Sequence, residues 1–295
     1  MKPRRSSASR DRREAILMLA PATLVLAGVA LFPIAAAFQL SLSRMMIVFH
    51  DRTFIGLDNY AFLLRDPRFW TALANTTYFS VVSVALELGL GLAFALLLDA
   101  RIPGRGLLRA SILVPWAIPT VVAARLWAWM FNPMYGLIPH LLPMHDVDWL
   151  GTPGWAMHAA ILVDVWKATP FVALLLLAGL QTIPGDLYRA AEIDGASWWR
   201  SFRAITLPLL KPTIALCLVF RTLDAFRVFD AVYVLTGGGP ANTTETLSIY
   251  TYKTLMRAGD FGYGSTLAVV TFLCVLILSI GYLRLLRDRG AGANA

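Results

Sequence analysis

The sequence predicts an all-α polytopic membrane protein with six transmembrane helices. Three observations lead there. Hydrophobic residues make up 58% of the 295-residue chain and charged residues only 15%, with a mean hydropathy of +0.64. Soluble domains do not have this composition. Several apolar runs approach the roughly 20 residues a helix needs to cross a bilayer. Inside hydrocarbon each backbone polar group must be paired within the protein, which a helix achieves by itself.

The first run has a basic start (Arg4, Arg5, Arg10, Arg12, Arg13) and an Ala35-x-Ala37 that mimics a cleavage site. Its apolar stretch, Ile16 to Ala37, is 22 residues long. That exceeds a secretory signal core of roughly 7–15 residues, so it reads as an uncleaved first span. The six spans are Ala15–Leu42, Thr76–Leu98, Leu107–Phe131, Trp155–Leu180, Thr213–Leu235 and Tyr263–Leu286. They form one membrane domain, 15–286, between a basic tail, 1–14, and a short tail, 287–295.

The net charge of +8 is topological rather than a nucleic-acid stripe, because Lys and Arg flank the apolar runs. Sixteen of the 26 lie with the two termini and the loops at 99–109 and 181–211, and six lie in the loops on the other side. The positive-inside rule then puts both termini, and the 181–211 loop, in the cytoplasm. The opposite loops are short. The last of them, Leu235-Thr-Gly-Gly-Gly-Pro240, reads as a flexible break.

No enzyme emerges. Cys217 and Cys274 sit inside apolar runs and read as small buried hydrophobes. His50, His140, His145 and His158 are scattered and fit no metal or catalytic pattern. There is no G-x-x-x-x-G-K-[ST] to cradle ATP phosphates, and Gly237–Gly239 lacks the Lys. Catalytic residues, metal ligands and a resident cofactor are therefore not expected.

Two polar features stand out against this background. The first is Leu187–Pro212, between the fourth and fifth spans. Asp186 is a plausible cap for a helix from Leu187 to Asp194, and Gly195 a plausible stop. Ser197 then caps a second helix, Trp198 to Ile205, ended by Leu207-Pro208. Small residues (Ala190, Ala191, Gly195, Ala196) let a partner approach closely, and Arg189, Glu192 and Asp194 offer charge to it. On chemistry alone, a docking knob and an interfacial loop with Trp198, Trp199 and Phe202 on the headgroups are equal readings.

The second is charge inside the spans, which costs roughly 2.5–3.5 kcal/mol per residue on insertion scales and so marks candidate function. The fourth span holds Asp164, Trp166, Lys167 and Phe171, with Pro170 freeing a carbonyl. The fifth holds Arg221, Asp224, Arg227 and Asp230, alternating in sign at three-residue spacing, so that neighbours can neutralise each other. Phe220, Phe226 and Phe229 lie alongside. Charged hydrogen-bonding groups beside aromatic rings suit a sugar. An ion-pair ladder that locks helix packing is the other reading. Glu87 and Arg125 are placed to pair between the second and third spans, as packing.

The polar loop resembles the EAA loop of ABC-importer permeases, whose consensus is roughly E-A-A-x-x-D-G-A, eight variable residues, then I-x-L-P. Matches fall at Ala190, Ala191, Asp194, Gly195, Ala196, Ile205, Leu207 and Pro208. Arg189 stands where the family usually has Glu, so either the partner ATPase carries a compensating change or Glu192 takes over the contact. Phe54-Ile-Gly-Leu-Asp-Asn-Tyr60 with Asn75-Thr76, and Thr236-Gly-Gly-Gly-Pro240 with Thr246-Leu247, resemble the carbohydrate branch of the same family. The resemblance implies a type I importer permease that carries a disaccharide of the trehalose or maltose kind across a bacterial inner membrane. It also implies a second permease, two ATPase subunits holding ATP and Mg, and an extracytoplasmic sugar-binding protein. Sugar-contacting positions carried over by resemblance are Asp164, Lys167, Ala168, Phe171, Arg221, Asp224 and Ala225. Glycerol 3-phosphate within the family, and an ion-coupled secondary transporter outside it, are the alternatives. The second would require inverted repeats, which the sequence does not display.

Overall fold

A computed structural model describes residues 5–47, 51–100, 103–142 and 147–291; His50 and His145 lie outside them. The chain divides into two compact units, Met1–Arg65 with Thr251–Phe272, and Asp66–Tyr250 with Leu273–Ala295.

In the first unit α1 runs from Arg5 to Ser41. It therefore begins ten residues before the expected span, within the basic tail. Its large apolar residues are exposed from Ile16 to Phe32, as suits a helix that is apolar on all faces in a membrane. A short antiparallel ribbon follows, β1 (Ser43–Met46) with β2 (Asp51–Phe54), a small departure from an all-helical expectation. α2 (Asp58–Arg65) comes next. Asn59 Nδ2 donates to the carbonyls of Ser41 and Ser43 at 2.9 and 3.0 Å. One side chain thus takes up carbonyls left over where α1 ends.

The second unit is built on α7 (Trp155–Leu180), most of whose residues are buried. Ala156, Ala159, Ala160, Ala168 and Ala173 keep it slim enough to be surrounded. α3 (Pro67–Asp99) lies closest to it, starting from an Asp66 cap that accepts from Arg68 N. A Cβ on Gly91 would sit 2.6 Å from Val172 Cγ1, closer than real carbon contacts allow. Gly91→Leu is therefore expected to force α3 off α7 and lower stability by about 1–3 kcal/mol. The lost thermal stability of the solubilised chain measures it, and an unchanged melting curve would contradict the packing.

The third expected span is broken. α4 (Arg105–Ala117) and α5 (Thr120–Met130) meet at 97°. Pro119 lacks the N–H that would continue the ladder, and it biases Ile118 to extended backbone; Ile118 has ψ 132°. Among the described residues, five helices are thus long and apolar enough to cross a membrane, or six if the bent pair is one span. After α5 come the one-turn α6 (Leu137–Leu141), α7, and then α8 (Gly185–Ile193) and α9 (Trp198–Ser201).

Pro208 does not end a helix. The chain passes from α9 through a π turn, Phe202–Thr206, into α10 (Leu207–Ala225). In the π turn Leu207 N bonds Phe202 O, five residues back. This register shift puts Pro208 in the first turn of a new helix, where no N–H is required. The fifth expected span also stops early, at Ala225 rather than Leu235. Arg227 and Val228 tighten into three-residue bonds to Asp224 and Ala225, and α11 (Asp230–Leu235) is a separate short helix. α12 (Leu247–Tyr252) and α13 (Phe261–Ala291) complete the chain.

The Gly237–Pro240 segment is bonded throughout rather than an open break. Thr244 Oγ1 donates to Gly239 O at 2.7 Å, and Thr243 Oγ1 to Pro240 O at 2.7 Å. Thr244, Glu245 and Thr246 behind it are buried. Arg68 Nε and Nη2 fork onto Glu245 at 2.7 and 2.9 Å. Tyr250 OH donates to Asp66 Oδ2 at 2.6 Å. Asn75 Nδ2 donates to Glu245 O, and Leu247 N to Thr76 Oγ1 at 2.8 Å. These contacts tie Asn75-Thr76 to the Glu245–Leu247 segment.

Candidate functional site: a charged cavity and an exposed loop

Between α7, α10 and the α4–α5 break lies a cavity of about 750 Å³, within the roughly 300–1,000 Å³ of small-molecule sites. Of the eight residues expected along a pathway, Asp164, Lys167, Phe171, Arg221, Asp224, Arg227 and Asp230 line it. Ala168 and Ala225 line it too. Trp166 does not. Two residues on from Asp164, it sits about 200° round the helix from it, and its ring packs edge-on against Trp127 with centroids 5.4 Å apart. Phe226 is likewise buried in the core, while Phe220 and Phe229 reach the wall.

Arg221 is the hub. Its Nε and Nη2 fork onto Glu87 at 2.6 and 2.9 Å. Its Nη2 also meets Asp164 at 3.3 Å, and its Nη1 meets Asp224 at 2.5 Å. α3, α7 and α10 each supply a carboxylate to one guanidinium. The expected Glu87–Arg125 pair is not formed: Arg125 is exposed on α5, and Glu87 faces α10 instead. The ladder of neighbouring charges along the fifth span is likewise reduced to Arg221–Asp224. Helix α10 ends at Ala225, so Arg227 and Asp230 no longer share its face. Both are exposed, and neither makes an ion pair among the described residues; Arg227 Nε donates to Leu223 O.

Lys167 pairs with no acid among the described residues. Its Nζ donates to Ile118 O at 2.6 Å and to Trp116 O at 3.4 Å. These are the carbonyls left at the C-terminal end of α4, where a cation is favoured. Trp116 itself stacks on Phe171, with centroids 5.9 Å apart, and lines the cavity with Thr120. Sequence reasoning missed these two, because it ran one straight helix through Pro115 and Pro119.

The polar loop is the second candidate. α8 has no buried residue. It starts after Pro184 rather than at an Asp186 cap. Asp186 instead pairs with Arg189 at 3.1 Å, an exposed contact worth little. The C-terminus closes as expected. Gly195 has φ +70°, Gly195 N bonds Glu192 O at 3.0 Å, and Ala196 N bonds Ala191 O at 2.8 Å, the paired bonds of a Schellman cap. Ser197 caps α9 through Arg200 N. Tyr188 OH and Thr206 Oγ1, 2.9 Å apart, tie α8 to the π turn, a brace that no local pattern announced. Glu192, Asp194 and Gly195 are exposed, and Leu207 and Pro208 lie where the loop enters α10.

Comparison with known proteins places this architecture. The chain is 47% identical over 283 residues to the trehalose/maltose transport system permease protein MalF of Thermococcus litoralis, covering 95% of this chain and 96% of that one. It is 43% identical over 292 residues to the trehalose transport system permease protein SugA of Mycobacterium tuberculosis, covering 99% and 94%. Its fold matches a chain of a bacterial ABC transporter involved in import of the acidic polysaccharide alginate, with a TM-score of 0.82 at 22% identity over 97% and 99% of the two chains. The fold is that of type I ABC importer permeases. The family described as binding-protein-dependent transport system inner membrane component matches residues 87–290. With that match over most of its length, this multi-pass membrane chain belongs to that family, as a transport subunit rather than an enzyme.

Proposed function

We propose that this chain is the permease subunit of an ATP-driven importer that carries a neutral sugar, a disaccharide of the trehalose or maltose kind, across a bacterial inner membrane. The observation that carries the reading is the cavity chemistry. Asp164, Asp224 and Asp230 offer carboxylate acceptors to hydroxyl groups, and Trp116, Phe171, Phe220 and Phe229 offer aromatic surface to ring C–H faces. Lys167 is held by helix carbonyls and Arg221 by three carboxylates. Arg227 is then the lining cation left to meet an anion, among the described residues, which disfavours cargo such as glycerol 3-phosphate. The names of the similar permeases point the same way.

The chain carries no cofactor on this reading. ATP and Mg belong to two partner ATPases, a second homologous permease completes the pore, and a sugar-binding protein delivers cargo from outside. Both termini and the 181–211 coupling loop face the cytoplasm, on the Lys/Arg asymmetry. Closure of the ATPases on ATP acts on Arg189–Ala196, and the difference in ATP affinity between the two states drives the switch.

Mild-detergent co-purification, followed by ATP hydrolysis in lipid with a panel of sugars, tests this. Recovery of an ATPase pair and second permease, with hydrolysis stimulated by one sugar through its binding protein, is expected. A chain that purifies alone would overturn it. Asp224→Ala is expected to lower uptake by about tenfold or more, as loss of a charged hydrogen-bond acceptor does, while the complex still assembles. Lost assembly with the variant would assign Asp224 to packing.

A further inference from the structure

Glu87 lies outside the cavity wall, yet it decides how the wall is arranged. Its side chain is fully buried on α3, and both its oxygens are bonded to Arg221. Arg221 is 7% exposed. Four of its contacts go to carboxylates, so its guanidinium has little left with which to grip a ligand. The exposed ends of this cluster are Asp164 and Asp224, at 18% and 67%. Each gives one oxygen to Arg221 and keeps carboxylate surface in the cavity.

The fork between Glu87 and Arg221 is planar and two-pronged, which fixes a guanidinium in orientation as well as position. With Glu87 in place, Nη1 and Nη2 point at two separate acids, one on α7 and one on α10. Without it, Nε and one Nη2 proton lose their acceptors, and a fork onto Asp164 or Asp224 becomes the favoured substitute. That fork would occupy both oxygens of an acid that otherwise faces cargo.

We propose that Glu87 is a positioning residue for cargo. It holds Arg221 from behind so that Asp164 and Asp224 stay separate and available to sugar hydroxyls. Arg221 is then a scaffold for the acids rather than a direct ligand. This rests on the carbohydrate reading above.

The test is equilibrium binding of radiolabelled trehalose and of maltose to the purified complete importer in lipid nanodiscs. Binding protein is left out, and binding is measured without nucleotide and with a non-hydrolysable ATP analogue. Failure of the parent complex to bind either sugar would overturn the carbohydrate reading and this inference with it. If the parent binds, Glu87→Gln is expected to raise the dissociation constant about tenfold, with the number of sites per complex unchanged. In the Arg221→Met background the same substitution is expected to add nothing further, because Glu87 acts through that side chain. An unchanged dissociation constant, or fewer sites at unchanged affinity, would reduce Glu87 to packing and sink the proposal. Should Glu87→Gln fail to assemble, Glu87→Asp keeps the charge and shortens its reach. Weaker binding is again expected, and parental affinity would again overturn the role.

Discussion

Arg221→Met is expected to destabilise the chain by about 3–5 kcal/mol, the usual consequence of removing one partner of a buried ion pair. Glu87 is fully buried and both its oxygens rely on this guanidinium. Met matches the arm in length but brings no donor, so both oxygens of the buried Glu87 lose the guanidinium that holds them. The double variant Glu87→Gln/Arg221→Met removes both charges and is expected to recover most of the loss. Thermal unfolding of the solubilised complex measures both. A single variant as stable as the parent would show that Glu87 finds its stabilisation elsewhere. A double variant no better than the single would point to lost packing by the arginine stem instead.

Gly195→Trp is expected to abolish sugar-driven ATP hydrolysis while leaving the membrane part folded. Gly195 has φ +70° and open space beyond its Cα. A side chain there meets backbone strain of roughly 1–2 kcal/mol, and an indole projects onto the exposed face of α8 proposed to meet the ATPase. Gly195→Ala carries the strain without the bulk, so it separates the two effects. Near-parental hydrolysis with Ala and none with Trp supports docking at this face. Equal losses would trace the effect to the helix cap. Full hydrolysis and full ATPase recovery with Trp would remove α8 from the interface.

How much was legible depends on how far apart the interacting residues lie. The Gly195 stop and the Ser197 cap were readable because each is completed within a few residues. The membrane class was readable because hydrocarbon imposes one rule on every span. The break at Pro119 is present in the sequence, but a continuous apolar run hides a proline that the tertiary structure uses as a corner. The run-through at Pro208 erred the other way: the proline reads as a stop, and a π turn absorbs it.

The cavity shows the same division. Sequence alone settles which helices carry charge and, through the cost of burying charge, that each buried charge must find a partner. It could not say which partner. Glu87 and Arg221 are 134 positions apart, and pattern reasoning offered the nearer Arg125. Lys167 lies three residues from Asp164, yet it reaches the carbonyls of Trp116 and Ile118 because the α4–α5 corner puts a helix end beside it. Helical periodicity fixes which neighbours share a face on one helix. Which faces meet, and so which acids share one guanidinium, is decided only when α3, α7 and α10 pack.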